Sequence, residues 1–414
     1  MSSRKEKIPI VRFGAFSEPW FQNQLSEVAE FSKGRGYSKK DIQPQGTPII
    51  LYGRLYTKYE SVISNIDTYA NMEKNSVISE GGEVIIPASG ESAAEISRAS
   101  CVTDGGVILG GDINIVKLHE NLDSSFIAIT LSNGSQQREL SKRAQGKSVV
   151  HLHNSDLKAV KLFYPSYEEQ TAIGSLFSTL DDLLSSYKDN LANYQSLKAT
   201  MLSKMFPKAG QTVPEIRLDG FEGEWEKMKL KDVTESIEYG LNASAKEFDG
   251  ENKYIRITDI DDVSRKFKEN SLTSPDINVS ECDNYLLCEK DILFARTGAS
   301  VGKTYLYDMK DGKVYFAGFL IRARIKEIFD SKFIFQNTLT DRFTQYVKVT
   351  SQRSGQPGVN GKEYGEYELY LPKYEEQQAI GAYFSNLDNL IATHQEKISQ
   401  LETLKKKLLQ DMFI

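Results

Sequence analysis

Apolar residues follow two rhythms along this chain. In two long stretches they recur alternately every four and three residues: Ile173, Phe177, Leu180, Leu184, Tyr187, Leu191 and Tyr194, then Ile380, Phe384, Leu387, Ile391, His394, Ile398 and Leu401. That alternation is a heptad seam and predicts two long helices that bury one stripe. In each stretch the seam meets a lysine, Lys198 or Lys405. It resumes from the preceding leucine, Leu197 or Leu404, and runs to Met201 and Met205 or to Leu408 and Met412. Roughly 39 residues at about 1.5 Å each make a rod of about 58 Å, longer than a small domain is wide.

Elsewhere the apolar runs are short and bounded by Gly, Asn and Asp: PIILYGRLY, EVIIPAS, GVILGG, INIVKL, YIRITDI, DILFAR, KVYFAGFLIRARI and YELYLP. Those are strand-and-turn signals. Globular, β-rich segments therefore precede each long helix, and PKAGQTV at 207–213 supplies the break expected where the first helix ends.

The two halves are copies. Residues 165–206 align without a gap on 372–413, with 18 identities in 42 positions at an offset of 207. A weaker match opens each half: Pro9, Arg12, Phe16, Trp20, Leu25 and Val28 recur as Pro214, Arg217, Phe221, Trp225, Leu230 and Val233, so the only two tryptophans are equivalent. GEVIIPASGES (82–92) echoes KDILFARTGAS (290–300), and Asp123-Ser-Ser-Phe-Ile echoes Asp330-Ser-Lys-Phe-Ile. The segments are a globular part at 1–164, a helix at 165–206, a linker at 207–213, a second globular part at 214–371 and a second helix at 372–414. The predicted class is α+β, with two mixed, β-rich globular domains related by pseudo-two-fold symmetry. Two long antiparallel helices forming a coiled coil separate them.

Composition changes this picture little. Apolar residues make up 40% and charged residues 26% of the 414, the balance of a soluble globular chain. No apolar run is long enough to span a membrane, and the N-terminal MSSRKEKIPIVRF lacks the apolar core of a signal peptide, so a cytoplasmic location is expected. Cys101, Cys282 and Cys288 form no CxxC and read as reduced, structural thiols. Charge bears more on function. The net charge is −6; residues 1–160 carry 18 basic and 18 acidic groups, and 211–367 carry 23 and 27. Neither half has the overall basic footprint of a general DNA binder, so any nucleic-acid contact must come from local clusters or be helped by a partner.

Catalytic chemistry is hard to place. GASVGKT at 298–304 follows a strand-like run, but a phosphate-cradling loop needs its first glycine where Thr297 stands. A tight turn between strands fits better. His151 and His153 lack a third ligand nearby, and no metal site is expected. Glu168-Glu169 and Glu375-Glu376 fall in first helical turns, where carboxylates favour the positive end of the helix dipole, so capping is the expected role. Recognition is better supported. Arg and Lys pair with guanine edges, and Asn and Gln with adenine. Loops rich in such side chains recur in both halves: Lys33, Arg35 and Lys39; Arg54 and Lys58; Arg143 and Lys147; then Arg265 and Lys266; Arg296 and Lys303; Arg353, Gln356, Asn360 and Lys362. The Gly-rich loop just before each long helix is basic in both copies.

The order of two variable globular units, each closed by a helix that opens P-x-Y-E-E-Q-x-A-I-G (Pro165–Gly174, Pro372–Gly381) and ends M-F, resembles the specificity subunit of type I restriction-modification systems. The resemblance covers essentially the whole chain. It implies that 1–164 and 214–371 are target-recognition domains, each reading one half of a split, asymmetric double-stranded DNA target, and that the helices fix the gap between half-sites. It further implies a non-catalytic chain that docks two methyltransferase subunits and joins two translocase-nuclease (restriction) subunits. The complex would use S-adenosylmethionine, and ATP with Mg2+ for restriction, none of it bound by this chain. Ile173, Phe177, Leu183, Ile380, Phe384 and Leu390 become candidates for exposed, partner-binding positions. A duplicated coiled-coil scaffold without DNA specificity is the alternative.

Overall fold

The computed structural model describes residues 8–146, 149–352 and 356–413. They divide into two compact units, one of Met1–Tyr187 with Ile398–Ile414 and one of Lys188–Lys397. Each long helix therefore starts in one unit and ends in the other.

In the first unit the main sheet has five strands in the order Ala29–Lys33, Ile113–Leu118, Glu83–Pro87, Ser100–Val102, Val62–Ile63. Its neighbours are antiparallel except the last pair, which is parallel. Glu83–Pro87 is buried throughout, which explains why EVIIP reads as a continuous run rather than an alternation. Ser124–Leu131 packs on this sheet, and a smaller sheet is built around Thr47–Ile50.

The second unit repeats the design with a four-stranded sheet in the order Thr234–Tyr239, Leu320–Ile325, Asp291–Ala295, Thr304–Leu306, all antiparallel. Ser331–Asn337 occupies the place of Ser124–Leu131, and Gly361–Gly365 that of Asn154–Lys158. A two-stranded ribbon leads into each long helix: Phe21–Gln24 with Lys161–Tyr164, and Glu226–Lys229 with Glu368–Leu371.

The long helices are Tyr167–Lys204 and Tyr374–Asp411, 38 residues each. Within each unit the segments of the two helices run antiparallel. In the first, the Phe177 and Phe413 rings lie 5.8 Å apart and Asp181 meets Lys405. In the second, Tyr194 packs on His394 at 5.2 Å and Lys198 pairs with Asp388 at 2.6 Å. The seam departs from expectation at one place: Leu197 and Leu404 are exposed, and the neighbouring lysines take the inward position. An aspartate waits for each lysine, so the phase shift exchanges an apolar contact for a part-buried ion pair.

Candidate nucleic-acid interface

The residues that recur across the two halves assemble into the same junction twice. Arg12 donates from Nε and Nη2 to the Glu169 carboxylate, both at 2.6 Å, and Arg217 donates to Glu376 at 2.8 and 2.7 Å. Both carboxylates are buried, so capping is not their role: the second Glu of each pair anchors the opening segment of its half, while Glu168 and Glu375 stay exposed. Fork-to-carboxylate pairing is the geometry an arginine provides and a lysine does not. Through the hydrogen bond and attraction of Glu169, the Arg12 guanidinium is held above its ordinary pKa.

The next residue of the motif, Gln170, accepts from the Asp123 N–H at 3.0 Å and donates to the Pro165 carbonyl at 3.0 Å. Gln377 does the same with Asp330 (3.1 Å) and Pro372 (2.9 Å). Asp123 and Asp330 in turn accept from the N–H of Phe126 and of Phe333, each at 2.7 Å, and so cap the short helix packed on the sheet. Burial pushes both of these carboxyls upward in pKa. Gly174 and Gly381 complete the junction. A Cβ there would stand 2.9 Å from Asp123 Oδ1 and 2.5 Å from Asp330 Oδ1, so the helix approaches the cap only if the residue is glycine.

The terminal Met-Phe closes each core from the other helix. Phe413 packs against Phe126 and Phe177, both at 5.8 Å, with Trp20 edge-on to Phe126 at 5.7 Å. Phe206 packs against Phe333 at 5.4 Å and Phe384 at 6.0 Å, with Trp225 5.6 Å from Phe333. Ile173, Phe177, Ile380 and Phe384 are accordingly core residues, each at most 1% exposed. That corrects their assignment as exposed partner contacts: the heptad face bearing them is spent on their own unit. Leu183 and Leu390 are 42% and 40% exposed.

The candidate base-reading side chains divide into committed and uncommitted groups. Arg54 is neutralised by Glu60 and Asp67, both at 2.7 Å, and its side chain is 9% exposed. Lys58 joins the same Asp67 at 2.8 Å, and Lys58 first, then Arg54, hold that carboxyl down at about 2. Arg143 bonds to Glu139 and to the Ala159 carbonyl. Lys303 is buried, donates to the Ile260 carbonyl and pairs with Asp262, pinning the 261–266 loop to the turn between Asp291–Ala295 and Thr304–Leu306. Asn360 accepts from the Glu363 N–H and caps Gly361–Gly365. For Arg54, Arg143, Lys303 and Asn360 the sequence reading is corrected, because each already has a structural partner.

Lys33, at the end of Ala29–Lys33, and Arg35 and Lys39 beyond it stand exposed in the first unit, and Asn154 ties that strand end, through the Ser32 carbonyl, to the segment ahead of Tyr167–Lys204. In the second unit Lys266 is exposed beside Arg265, which sits in the left-handed region at φ 57°. Gln356 and Lys362 are exposed, and Arg296 is half-buried. Lys147 and Arg353 lie outside the described residues. The segment ahead of each long helix pairs with the turn after a central strand: Val150–His151 with Ser89–Gly90, and Gly358 with Thr297. Two loops far apart in sequence thus form one face in each unit. His151 and His153 stack there with ring centres 6.2 Å apart.

Each unit also has a cleft where helix meets globular part. In the second it holds about 1060 Å³, lined among others by Lys198, Leu202, Thr344, Lys266 and Gly302; the equivalent cleft in the first, with Lys405, Leu409 and Gln137 in the matching places, holds about 260 Å³. The scaffold positions match, and the loop residues 262–266 and 298–303 line the larger cleft. Among the described residues, no cluster of three or more His, Cys, Asp or Glu side chains could hold a metal ion, and no helix is long and apolar enough to cross a membrane.

Sequence reasoning missed Tyr239 and Phe319, which are 45% and 58% exposed on the second unit's face. Neither lies in a basic loop. It also missed the Arg12–Glu169 and Arg217–Glu376 pairs, although all four residues lie in the repeated motifs.

Comparisons with known proteins agree with this architecture. The chain is 22% identical over 407 residues to the type I restriction enzyme MjaVIII specificity subunit of Methanocaldococcus jannaschii, covering 95% of this chain and 91% of that one. It is 22% identical over 394 residues to the type I restriction enzyme EcoKI specificity subunit of Escherichia coli K12, covering 89% and 82%. The fold matches the crystal structure of the type I restriction-modification S subunit from M. genitalium with a TM-score of 0.64 at 15% identity, over 98% of this chain and 99% of that one. The family model for the type I restriction modification DNA specificity domain matches twice, at residues 17–193 and 222–403. With one such domain in each half, the chain belongs to the type I restriction-modification DNA specificity family.

Proposed function

We propose that each half of this specificity subunit reads one half-site of a bipartite DNA target, and that the long helices set the spacer between the half-sites. The observation that carries this reading is the split between junction and loops. From Arg12 and Arg217 to the terminal Met-Phe, the contacts that join helix to globular part repeat residue for residue. The uncommitted polar side chains instead sit on loops that differ between the halves.

The same helices dock two identical methyltransferase subunits. In support, exposed apolar residues on the helices recur as equivalent pairs at the repeat offset: Tyr167 and Tyr374, Leu183 and Leu390, Leu197 and Leu404. Matched apolar positions outside the cores suit two copies of one partner. The chain itself is non-catalytic. S-adenosylmethionine is bound by the methyltransferase subunits, and ATP with Mg2+ by two restriction subunits. Phosphate contacts from those partners offset the net charge of −6, since backbone contacts supply most of the electrostatic affinity for DNA. The assembly works in the cytoplasm.

The test is to co-express the chain with its methyltransferase partner and map methylated adenines by single-molecule sequencing. Replacing residues 215–365 with the matching segment of another specificity subunit changes one half-site and leaves the other intact. An unchanged motif overturns the reading.

A further inference from the structure

We infer that Arg296, held on the ring of Tyr239, reads a guanine in the half-site contacted by the second unit; this rests on the base-reading role proposed above for residues 214–371. Three arginines lie on or directly after the strands of this unit's main sheet. Arg322 is neutralised by Glu238 and lies 4.0 Å from Asp291, and Arg324 forks onto Asp291 at 2.8 and 2.9 Å. Both are committed to the fold. Among the described residues no carboxylate pairs with Arg296, which keeps its charge available.

Its placement is fixed all the same. Arg296 leaves the end of Asp291–Ala295; its N–H donates to the Phe319 carbonyl at 3.1 Å, and its own carbonyl accepts from the Val359 N–H at 2.9 Å. The guanidinium carbon lies 5.1 Å from the centre of the Tyr239 ring. That ring is itself anchored, because the Tyr239 hydroxyl accepts from the Gly361 N–H at 3.0 Å. Nε is buried without a hydrogen-bond partner, which leaves the two terminal nitrogens as the outward edge. An arginine stacked on an aromatic face has already lost much of its rotamer freedom and presents a rigid planar fork. Such a fork matches the O6 and N7 acceptors of guanine in the major groove.

The surroundings suit a base edge better than a phosphate alone. The Gln356 amide lies over Gly298, where an added Cβ would stand 3.1 Å from Nε2, and the Gly298 N–H donates to the Pro357 carbonyl at 3.0 Å. Phe319 stands 58% exposed next to the Arg296 backbone. Cation, amide and exposed ring therefore converge from three chain segments on one face of the second unit. Tyr239 is the positioning residue.

The test uses the full chain with its methyltransferase partner and reads the methylated motif genome-wide. Arg296→Ala is expected to lower discrimination at a single guanine of the second half-site by about ten- to a hundredfold, with the first half-site and the spacer unchanged. Arg296→Lys keeps the charge but loses the fork; it is expected to relax the same position with less loss of total methylation, and it carries the test should the alanine variant fold poorly. Tyr239→Leu is expected to relax that position partly, whereas Tyr239→Phe, which retains the ring, keeps it. Full discrimination in both Arg296 variants, or relaxation at a base other than guanine, overturns the inference. If the exchange of 215–365 alters a half-site while the arginine variants do not, the guanine assignment fails and the two-reader model stands. If neither alters the motif, both fail.

Discussion

The junction at the start of each long helix and the loops at the edge of each main sheet respond to duplication in opposite ways. At the junction, Arg12, Glu169, Gln170, Asp123 and Gly174 have counterparts in Arg217, Glu376, Gln377, Asp330 and Gly381, with hydrogen bonds matching to within a few tenths of an ångström. On the loops, the chain offers Lys33, Arg35 and Lys39 in one unit and Arg296, Gln356 and Phe319 in the other. A buried charge pair and a helix cap leave almost no freedom in residue choice, because removing one partner strands the other. A solvent-facing loop is constrained only by what it must touch. Repetition therefore marks scaffold, and the proposed reading puts recognition on the loops that diverge.

Breaking the junction should have the largest effect. Glu169→Ala or Glu376→Ala leaves a part-buried guanidinium without its carboxylate and should cost up to about 3–5 kcal/mol, measured by urea denaturation of the chain in its complex. Phe413→Ala and Phe206→Ala should cost a similar ~3–5 kcal/mol through the cavity each leaves. Phe413→Ala should loosen the first unit, where Phe413 packs on Phe126 and Phe177, more than 200 positions earlier in sequence; hydrogen exchange localises the loss. Glycine substitutions come next. Alanine in a helix interior gains about 1 kcal/mol over glycine, but a Cβ 2.5 Å from Asp330 Oδ1 is a clash that costs ~1–3 kcal/mol. Gly381→Ala should therefore destabilise, and Gly174→Ala, with 2.9 Å of room, should destabilise less.

The inter-helix lysines should matter least to stability. Lys198 and Lys405 are part-exposed, and alanine at either should cost under about 1 kcal/mol. On the loop side, Asp67 sharpens the comparison through pH. Its carboxyl is depressed from 3.8 to about 2, so its contribution to stability is complete above the ordinary value and fades as pH falls towards 2. Lys58→Ala should raise the Asp67 midpoint towards 3.8 in an NMR titration. An unmoved midpoint would show that Lys58 is not engaged there.

Much of the scaffold was legible in the sequence, because its physics is periodic. The 4-3 seam gave both helices nearly to their ends, and the echo of residues 82–92 in 290–300 matched the central strands Glu83–Pro87 and Asp291–Ala295. Less legible was which side of a helical residue faces what. Ile173, Phe177, Ile380 and Phe384 satisfy a coiled-coil seam and a domain core equally well, and only the arrival of Phe413 and Phe206 decides for the core. Glu169 and Glu376 look like ordinary first-turn carboxylates until an arginine some 157 or 159 residues away meets them. The candidate interface was legible only in outline. Basic loops can be counted, but whether Arg54 or Lys303 is available depends on carboxylates that fold against them. Tyr239 and Phe319 carry no charge, Phe319 sits in a strand-like run and Tyr239 in none of the apolar runs, so nothing local marks either as an exposed aromatic.

The most direct test lengthens the scaffold without touching either reader. Seven residues, one heptad, inserted in each long helix between Tyr187 and Tyr194 and between His394 and Leu401 preserve the seam and both junctions. At about 1.5 Å per residue the insertion adds roughly 10.5 Å, or about three base pairs at 3.4 Å each. The methylated motif of the partnered complex should keep both half-sites and gain about three base pairs of spacer. Altered half-sites around an unchanged spacer would contradict the assignment of spacing to the helices and of base identity to the loops.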